Sequence, residues 1–194
     1  PSGHLTIATR QSNLALVLKN LGDLPTARDL LQEALAADEQ SFPPGHPSIA
    51  TSQSNLALVL QDLGDLSTAR DLLQKALAAA EQSFPPGHPT IATRQSNLAL
   101  VLQDLGDLTS ALDLLQKALA AYEQSFPSGH PWIATTQSHL ATALQNLGDL
   151  TTAHNLLQSS YAAFLETLGP DHPHTKTVQE NLAVLLRSLP TDDS

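Results

Sequence analysis

The chain has 194 residues, and its 19 acidic against 9 basic side chains give a formal net charge of -10, a surplus that repels phosphate backbones and anionic bilayers, so neither nucleic acid nor a membrane is an expected partner. The absence of cysteine removes disulfides and zinc-thiolate sites and suits a reducing, cytoplasmic setting, and no stretch reaches the ~20 consecutive apolar residues that a membrane helix needs. With 41% apolar but only 4% aromatic residues, any core must be built from Leu and Ala.

Repetition organises everything else. Gly3, Gly45, Gly87 and Gly129, each followed by His, recur every 42 residues, and Asp171-His172-Pro173 opens a fifth unit. The second and third units differ at only seven of 42 positions (48, 52, 67, 68, 70, 80 and 86 in the second), so they must be structurally equivalent. One domain, 1–194, is expected, with repeats at 3–44, 45–86, 87–128 and 129–170, a capping helix at 171–189 and a tail at 190–194. The chain lacks an initiating Met, and its opening Pro1-Ser2-Gly3-His4 matches Pro127-Ser128-Gly129-His130 at a unit boundary. It is therefore expected to be a fragment of a larger multidomain protein.

In chain order, the first unit's leading helix, helix A, carries the apolar stripe Ile7, Leu14, Leu18 and Leu21. The second unit shows the design in full. Ile49, Leu56, Ala57, Leu60 and Leu63 form one stripe of a helix over roughly 47 to 63. Pro47 suits its first turn and His46 its cap. Gly64-Asp65 breaks the pattern, and Leu66, Ala69, Leu72, Leu73, Ala76, Leu77 and Ala80 restart it as helix B over roughly 67 to 83. Pro85-Pro86-Gly87 forbids continuation beyond Phe84. The third and fourth units repeat this, and a last helix near 173 to 189 carries Lys176, Glu180 and Arg187 as a polar end cap. A lone hairpin cannot cover both its apolar faces, so the hairpins must stack.

The spacing of Leu14, Ala15, Leu18, Gly22, Ala27, Leu31 and Ala34 resembles the tetratricopeptide repeat. The 42-residue length and the His-Pro before helix A resemble, more narrowly, kinesin light chain repeats and related bacterial arrays. Two features depart from the shorter family pattern: Gln11, Gln53, Gln95 and Gln137 stand where Trp is frequent, and helix B runs past the usual terminal Pro. The resemblance implies an all-α, right-handed solenoid of four antiparallel hairpins plus a capping helix. It also implies a concave wall of A helices holding a peptide or protein.

Carried across by that resemblance, the groove positions are Thr9, Ser12, Leu16, Lys19 and Asn20 in the first unit and Thr51, Ser54, Leu58, Gln61 and Asp62 in the second. The third unit gives Thr93, Ser96, Leu100, Gln103 and Asp104, and the fourth Thr135, Ser138, Thr142, Gln145 and Asn146. Ser and Leu occupy the asparagine sites of a carboxylate clamp, so that mode is not expected. Asp62 and Asp104 either tilt the groove toward basic or amide-rich peptides or are solvated helix ends. Asn13, Asn55, Asn97, His139 and Asn181 form a ladder one position further on. Its amides either bond a peptide backbone or, as we expect, bridge to the neighbouring helix. One helix B position holds Asp38, Ala80, Tyr122 and Phe164 in successive units. Tyr122, Phe126 and Trp132 are read as local packing, with a contact patch as the alternative, and Tyr161 as core.

The histidines opening each unit, His4, His46, His88, His130 and His172, sit too far apart to share a metal ion, because neighbouring helices lie ~8–10 Å apart and a zinc–nitrogen bond spans ~2 Å. No nucleophile elbow, phosphate loop or HExxH helix occurs, and regular repetition does not converge unlike groups on one point. No cofactor and no catalysis are expected. The expected function is a peptide- or protein-binding scaffold. The alternative is a structural spacer or self-associating array, with weak end-to-end association through Ile7, Leu14, Leu18 and Leu21.

Overall fold

A computed structural model of the chain describes residues 2–188, with the side chains of residues 2–6, 8 and 188 left out of the description. The side chain of His4 is among those left out, and Leu189 and the tail at 190–194 lie outside the described residues. Nine helices and no strand occur among the described residues: α1 Ser2–Leu21, α2 Leu24–Ser41, α3 Pro47–Asp62, α4 Leu66–Ser83, α5 Pro89–Asp104, α6 Leu108–Ser125, α7 Pro131–Asn146, α8 Leu150–Leu168 and α9 Pro173–Ser188. Each helix packs on the next in the chain, giving the expected all-α solenoid of stacked antiparallel hairpins.

The boundaries follow from the repeated punctuation. In the second unit, the N–H of Gly64 bonds the carbonyl of Gln61 at 2.9 Å and that of Asp65 bonds Leu60 at 2.9 Å, the paired bonds of a Schellman ending, which requires the left-handed backbone that Gly64 adopts at φ 84°. Asp65 then begins the next helix, its carboxylate accepting the Thr68 N–H at 3.2 Å. Hydrogen bonds from the Thr68 side chain and then its backbone hold that carboxyl below the ordinary Asp range. Asp23, Asp107 and Asp149 cap their helices in the same way. In sequence, Gly64-Asp65 read only as a break; the structure makes its second residue a cap.

The unit openings are capped by histidine, as expected. His46, His88 and His130 accept the N–H two residues on through Nδ1, at 3.2, 3.1 and 3.2 Å. Each ring also stacks on the phenylalanine that ends the preceding helix, Phe42, Phe84 or Phe126, with centroids 4.0, 4.4 and 4.2 Å apart. The Phe-Pro-x-Gly-His sequence thus joins one repeat to the next by a cap and a ring contact together. No proline occupies position 5, where the other units have Pro47, Pro89, Pro131 and Pro173, and α1 continues back to Ser2.

Small residues set the helix approach. Ala27, Ala69, Ala111 and Ala153 are wholly buried, as are Ala15, Ala57, Ala99 and Ala141, so backbones meet where larger side chains would hold them apart. Ser160 replaces the buried alanine of earlier units and stays satisfied by donating to the Ala134 carbonyl at 2.7 Å. Leu31, Leu73, Leu115 and Leu157 fill the space between neighbouring pairs. Besides meeting their chain neighbours, α1 and α3, α3 and α5, and α5 and α7 approach one another directly. The even-numbered helices splay outward, which places the A helices on the inner wall.

The first helix shows what stacking contributes. Leu14 and Val17 are 52% and 54% exposed, whereas Leu56 and Val59, their equivalents one repeat on, are 4% and 0% exposed because α2 covers them. Ile7 and Leu21 are exposed as well. Leu18, expected on this open face, instead packs into the core; it points at its own hairpin partner, and Val17 takes its place on the exposed side. At the other end Lys176 stands where Ala50, Ala92 and Ala134 are buried in earlier units, while Val178 and Leu185 keep α9 docked on α8.

Candidate functional site

The inner wall is made by one face of α1, α3, α5 and α7, where residues separated by three and four in sequence align. Thr9, Thr51 and Thr93, with Leu16, Leu58 and Leu100, recur along it at 42-residue steps, and Leu16, Leu58 and Leu100 are half-buried. Thr51 and Thr93 anchor their own helices, donating to the Pro47 and Pro89 carbonyls at 3.0 Å. Among the predicted groove residues, Ser54 and Ser138 are buried, and Ser54 donates to the Ala50 carbonyl at 3.0 Å. Neither faces a ligand, whereas Ser12 and Ser96 at the same position of their repeats border pockets. Thr135, Thr142, Gln145, Ser12, Asn20 and Asn146 stay at least partly open.

The charged end of the wall is occupied by its own contacts. Lys19 pairs with Asp62 on the next A helix at 2.9 Å, and Gln61 donates to Asp104 at 2.6 Å. Gln103 continues the series by donating to the His139 carbonyl at 3.1 Å. These side chains stitch successive A helices together, so Asp62 and Asp104 are not free acids directed at a ligand. The asparagine ladder differs from expectation in the opposite sense. Asn13, Asn55 and Asn97 make no side-chain hydrogen bond among the described residues, and all three border pockets on the inner wall.

Two of those pockets are the same place two repeats apart. The first, of about 350 Å³, has Asp38, Ser48, Ser52 and Asn55 on its floor and walls. The second, of about 230 Å³, has Tyr122, Trp132, Thr136 and His139 at the corresponding positions. In the first pocket the buried Asp38 carboxylate accepts from Ser52 at 2.5 Å and has no ion-pair partner among the described residues. In the second, Tyr122 and Thr93 share a 2.8 Å hydrogen bond. Trp132 packs on Tyr122 and Phe126, centroids 5.6 and 5.0 Å away, yet remains 47% exposed. The aromatic cluster is therefore both local packing and an open surface.

Between the two pockets lies Arg94, which reaches back one repeat to donate to Thr51 at 3.1 Å; burial holds its guanidinium below its ordinary range. Its Nε, the Ser96 hydroxyl beside the Tyr122 phenol, and the His139 Nδ1 are all buried without a well-formed hydrogen bond, a concentration of unsatisfied polar atoms that folded domains ordinarily avoid. Burial, helped by the nearby His174, pushes the His139 imidazole down to about 4. Sequence reasoning missed Arg94 and the Asp38–Ser52 pair. The available signal was that positions 48, 52 and 80 are three of the few places where otherwise matching units differ.

Larger clefts open on the opposite side, beside the inter-repeat loops. One of about 630 Å³ is bordered by Glu81, Gly87, Ile91 and Lys117, and a second of about 440 Å³ by Glu39, Gly45, Ile49 and Lys75. They are nearly identical copies, so they offer volume without discrimination. Among the described residues no helix is long and apolar enough to cross a membrane, and no three His, Asp or Glu side chains gather as a metal would require. His172 and His174 have ring centroids 5.2 Å apart, but Nδ1 of His172 caps α9.

Comparison with known proteins agrees with this architecture. The sequence profile of the tetratricopeptide repeat matches in four overlapping stretches, residues 6–82, 48–124, 90–166 and 132–189. A Podosopora anserina protein described as a kinesin light chain with nearly identical TPR-like repeats is similar in two crystal structures. One of them, of a variant with a single substitution, shares 27% identity at a TM-score of 0.80, over 95% of this chain and 87% of that one. The other shares 29% identity at a TM-score of 0.77, over 92% and 85%. BtubC (BKLC) from P. vanneervenii has the same fold at 20% identity and a TM-score of 0.79, over 95% of this chain and 73% of that one. Among curated protein sequences none matches. With the repeat profile spanning almost the whole sequence, the chain belongs to the tetratricopeptide repeat family.

Proposed function

We propose that the chain is a non-catalytic binding module that captures an extended peptide, or an exposed segment of a partner protein, along the inner wall of its A helices. Tetratricopeptide repeats in general are protein–protein interaction scaffolds. The observation that supports a dedicated ligand here is where the repeats stop being alike. Units that match at most positions diverge on the pocket floor, as Asp38, Ala80, Tyr122 on helix B, as Ser48, Thr90, Trp132 at the helix A start, and as Ser52, Arg94, Thr136 one turn on. Three of the seven positions at which the second unit differs from the third, 48, 52 and 80, fall on this floor, and discrimination needs unlike groups in successive subsites.

Selection from a random peptide library should enrich one motif. Leu58→Glu or Leu100→Glu, each placing a charge on the half-buried inner wall, should abolish its binding while the helical circular dichroism signal and melting temperature stay near wild type. A library that enriches nothing, or a motif indifferent to both changes, would sink this reading.

A further inference from the structure

Resting on that reading, we infer that the ligand is an extended peptide with two anchors of different chemistry: a side-chain carboxamide seated on Asp38 and, about six residues away, an aromatic side chain seated on Trp132. The spacing comes from the stack. Adjacent A helices approach as packed helices do, at roughly 8–10 Å, so pockets two repeats apart lie about 20 Å from one another, and an extended chain covers that in about six residues at ~3.3 Å each.

The chemistry comes from what each pocket leaves unmatched. Asp38 is buried with one hydroxyl donor, Ser52, and no cation among the described residues, so its carboxylate can accept a further N–H. The surrounding groups, Ser12, Asn13, Ser48 and Thr51, are small and polar, leaving room for a planar amide, and Ser12, Asn13 and Ser48 offer donors for its oxygen, the Thr51 hydroxyl being committed to the Pro47 carbonyl. A ligand cation is disfavoured because the Arg94 guanidinium already sits on Thr51 at the rim. A ligand carboxylate is disfavoured by Asp38 itself. A carboxamide, donor and acceptor at once, answers both.

The second pocket replaces that acid with Tyr122 and adds the exposed Trp132 ring, a surface on which an aromatic side chain stacks. The Ser96 hydroxyl and the His139 ring, neither held in a well-formed hydrogen bond through its buried side-chain atom, border this pocket and can bond the adjacent peptide group. Asn55 in the first pocket and Asn97 in the second, both uncommitted, can bond the ligand backbone.

The test uses synthetic Gly/Ser peptides carrying one Gln and one Phe, separated by two to nine residues in both orders. Trp132 is the only tryptophan, so its emission reads binding directly. Affinity should peak at a separation of about six, and fall about tenfold when Gln becomes Ala, Lys or Glu or when Phe becomes Ala. The Asp38–Ser52 pair can then be moved one repeat along by Asp38→Ala with Ala80→Asp and Arg94→Ser, checked by melting temperature. The optimum should shorten to about three residues. An unchanged optimum, or tighter binding of the Lys or Glu peptides than of the Gln peptide, overturns the inference. If the library yields a ligand but no peptide of this series binds, the inference fails and the binding module stands. If neither binds, both fail.

Discussion

Truncating the same leucine in two repeats measures what stacking contributes. Leu14 and Leu56 occupy equivalent positions on α1 and α3, but Leu14 is 52% exposed and Leu56 only 4%. Leu56→Ala removes buried methyl groups from a packed interface, where truncations cost about 2–5 kcal/mol because the cavity collapses only in part; a value of about 3 kcal/mol is expected from that range. Leu14→Ala gives up only half of a leucine's transfer free energy, about 1 kcal/mol. Urea titration followed by circular dichroism gives both values, and the transition slope shows whether the unfolding unit has changed. Equal costs at the two sites would refute the reasoning, since they would mean that α2 does not cover α3 as described or that α1 is covered on its open face in solution.

Other substitutions probe other links. Ala69→Leu and Ala111→Leu, at wholly buried positions, should each cost about 1–3 kcal/mol by overpacking, and neutrality of both in a denaturant titration would contradict the close helix approach. His88→Ala removes a cap and a ring stack together and should cost about 1–2 kcal/mol, whereas His88→Asn, which keeps a capping acceptor, should recover part of it. For pH, the His139 imidazole lies lower in the fold, at about 4, than its unfolded value of 6.5. The unfolded chain therefore takes up a proton first, and stability falls as pH drops from about 6.5 to 4, by at most ~3.5 kcal/mol at ~1.4 kcal/mol per pH unit. His139→Asn, the residue type of the equivalent Asn55 and Asn97, should flatten that stretch of the curve, and an unaltered pH profile would place the ring in solvent. We further propose weak association through the open face of α1, where Leu14→Lys with Leu21→Lys should lower the concentration-dependent mass in sedimentation; identical behaviour of wild type and variant would exclude that face.

The fold was legible in the sequence because its determinants are local and repeated. The recurring His at 42-residue steps marks each unit, the Leu and Ala stripes mark each helix, and every error averages out over four copies. Finer assignments failed where one residue of rotation matters: Leu18 and Val17 are neighbours on one helix, and periodicity alone did not say which faces the missing neighbour. The groove was less legible for the same reason. Ser54 and Ser138 turn into the core while Ser12 and Ser96 of the same row border pockets, and Lys19, Asp62, Gln61 and Asp104 find one another across units, pairings that lie 43 residues apart and leave no local signature. The pocket floor was visible only as isolated differences between matching units, which became a site once stacking brought position 38 of one helix against positions 48 and 52 of the next.

The central claim is that ligand binds the inner wall and not the larger clefts beside the loops. Backbone amide shifts in two-dimensional NMR, recorded as a library-selected peptide is titrated in, test it most directly. Perturbations should run along α3, α5 and α7 through Asn55, Thr93, Asn97, Leu100 and Thr135, leaving Glu81, Gly87 and Lys117 unmoved. Shifts centred on Glu81, Gly87 and Lys117, with the inner wall silent, would contradict the account.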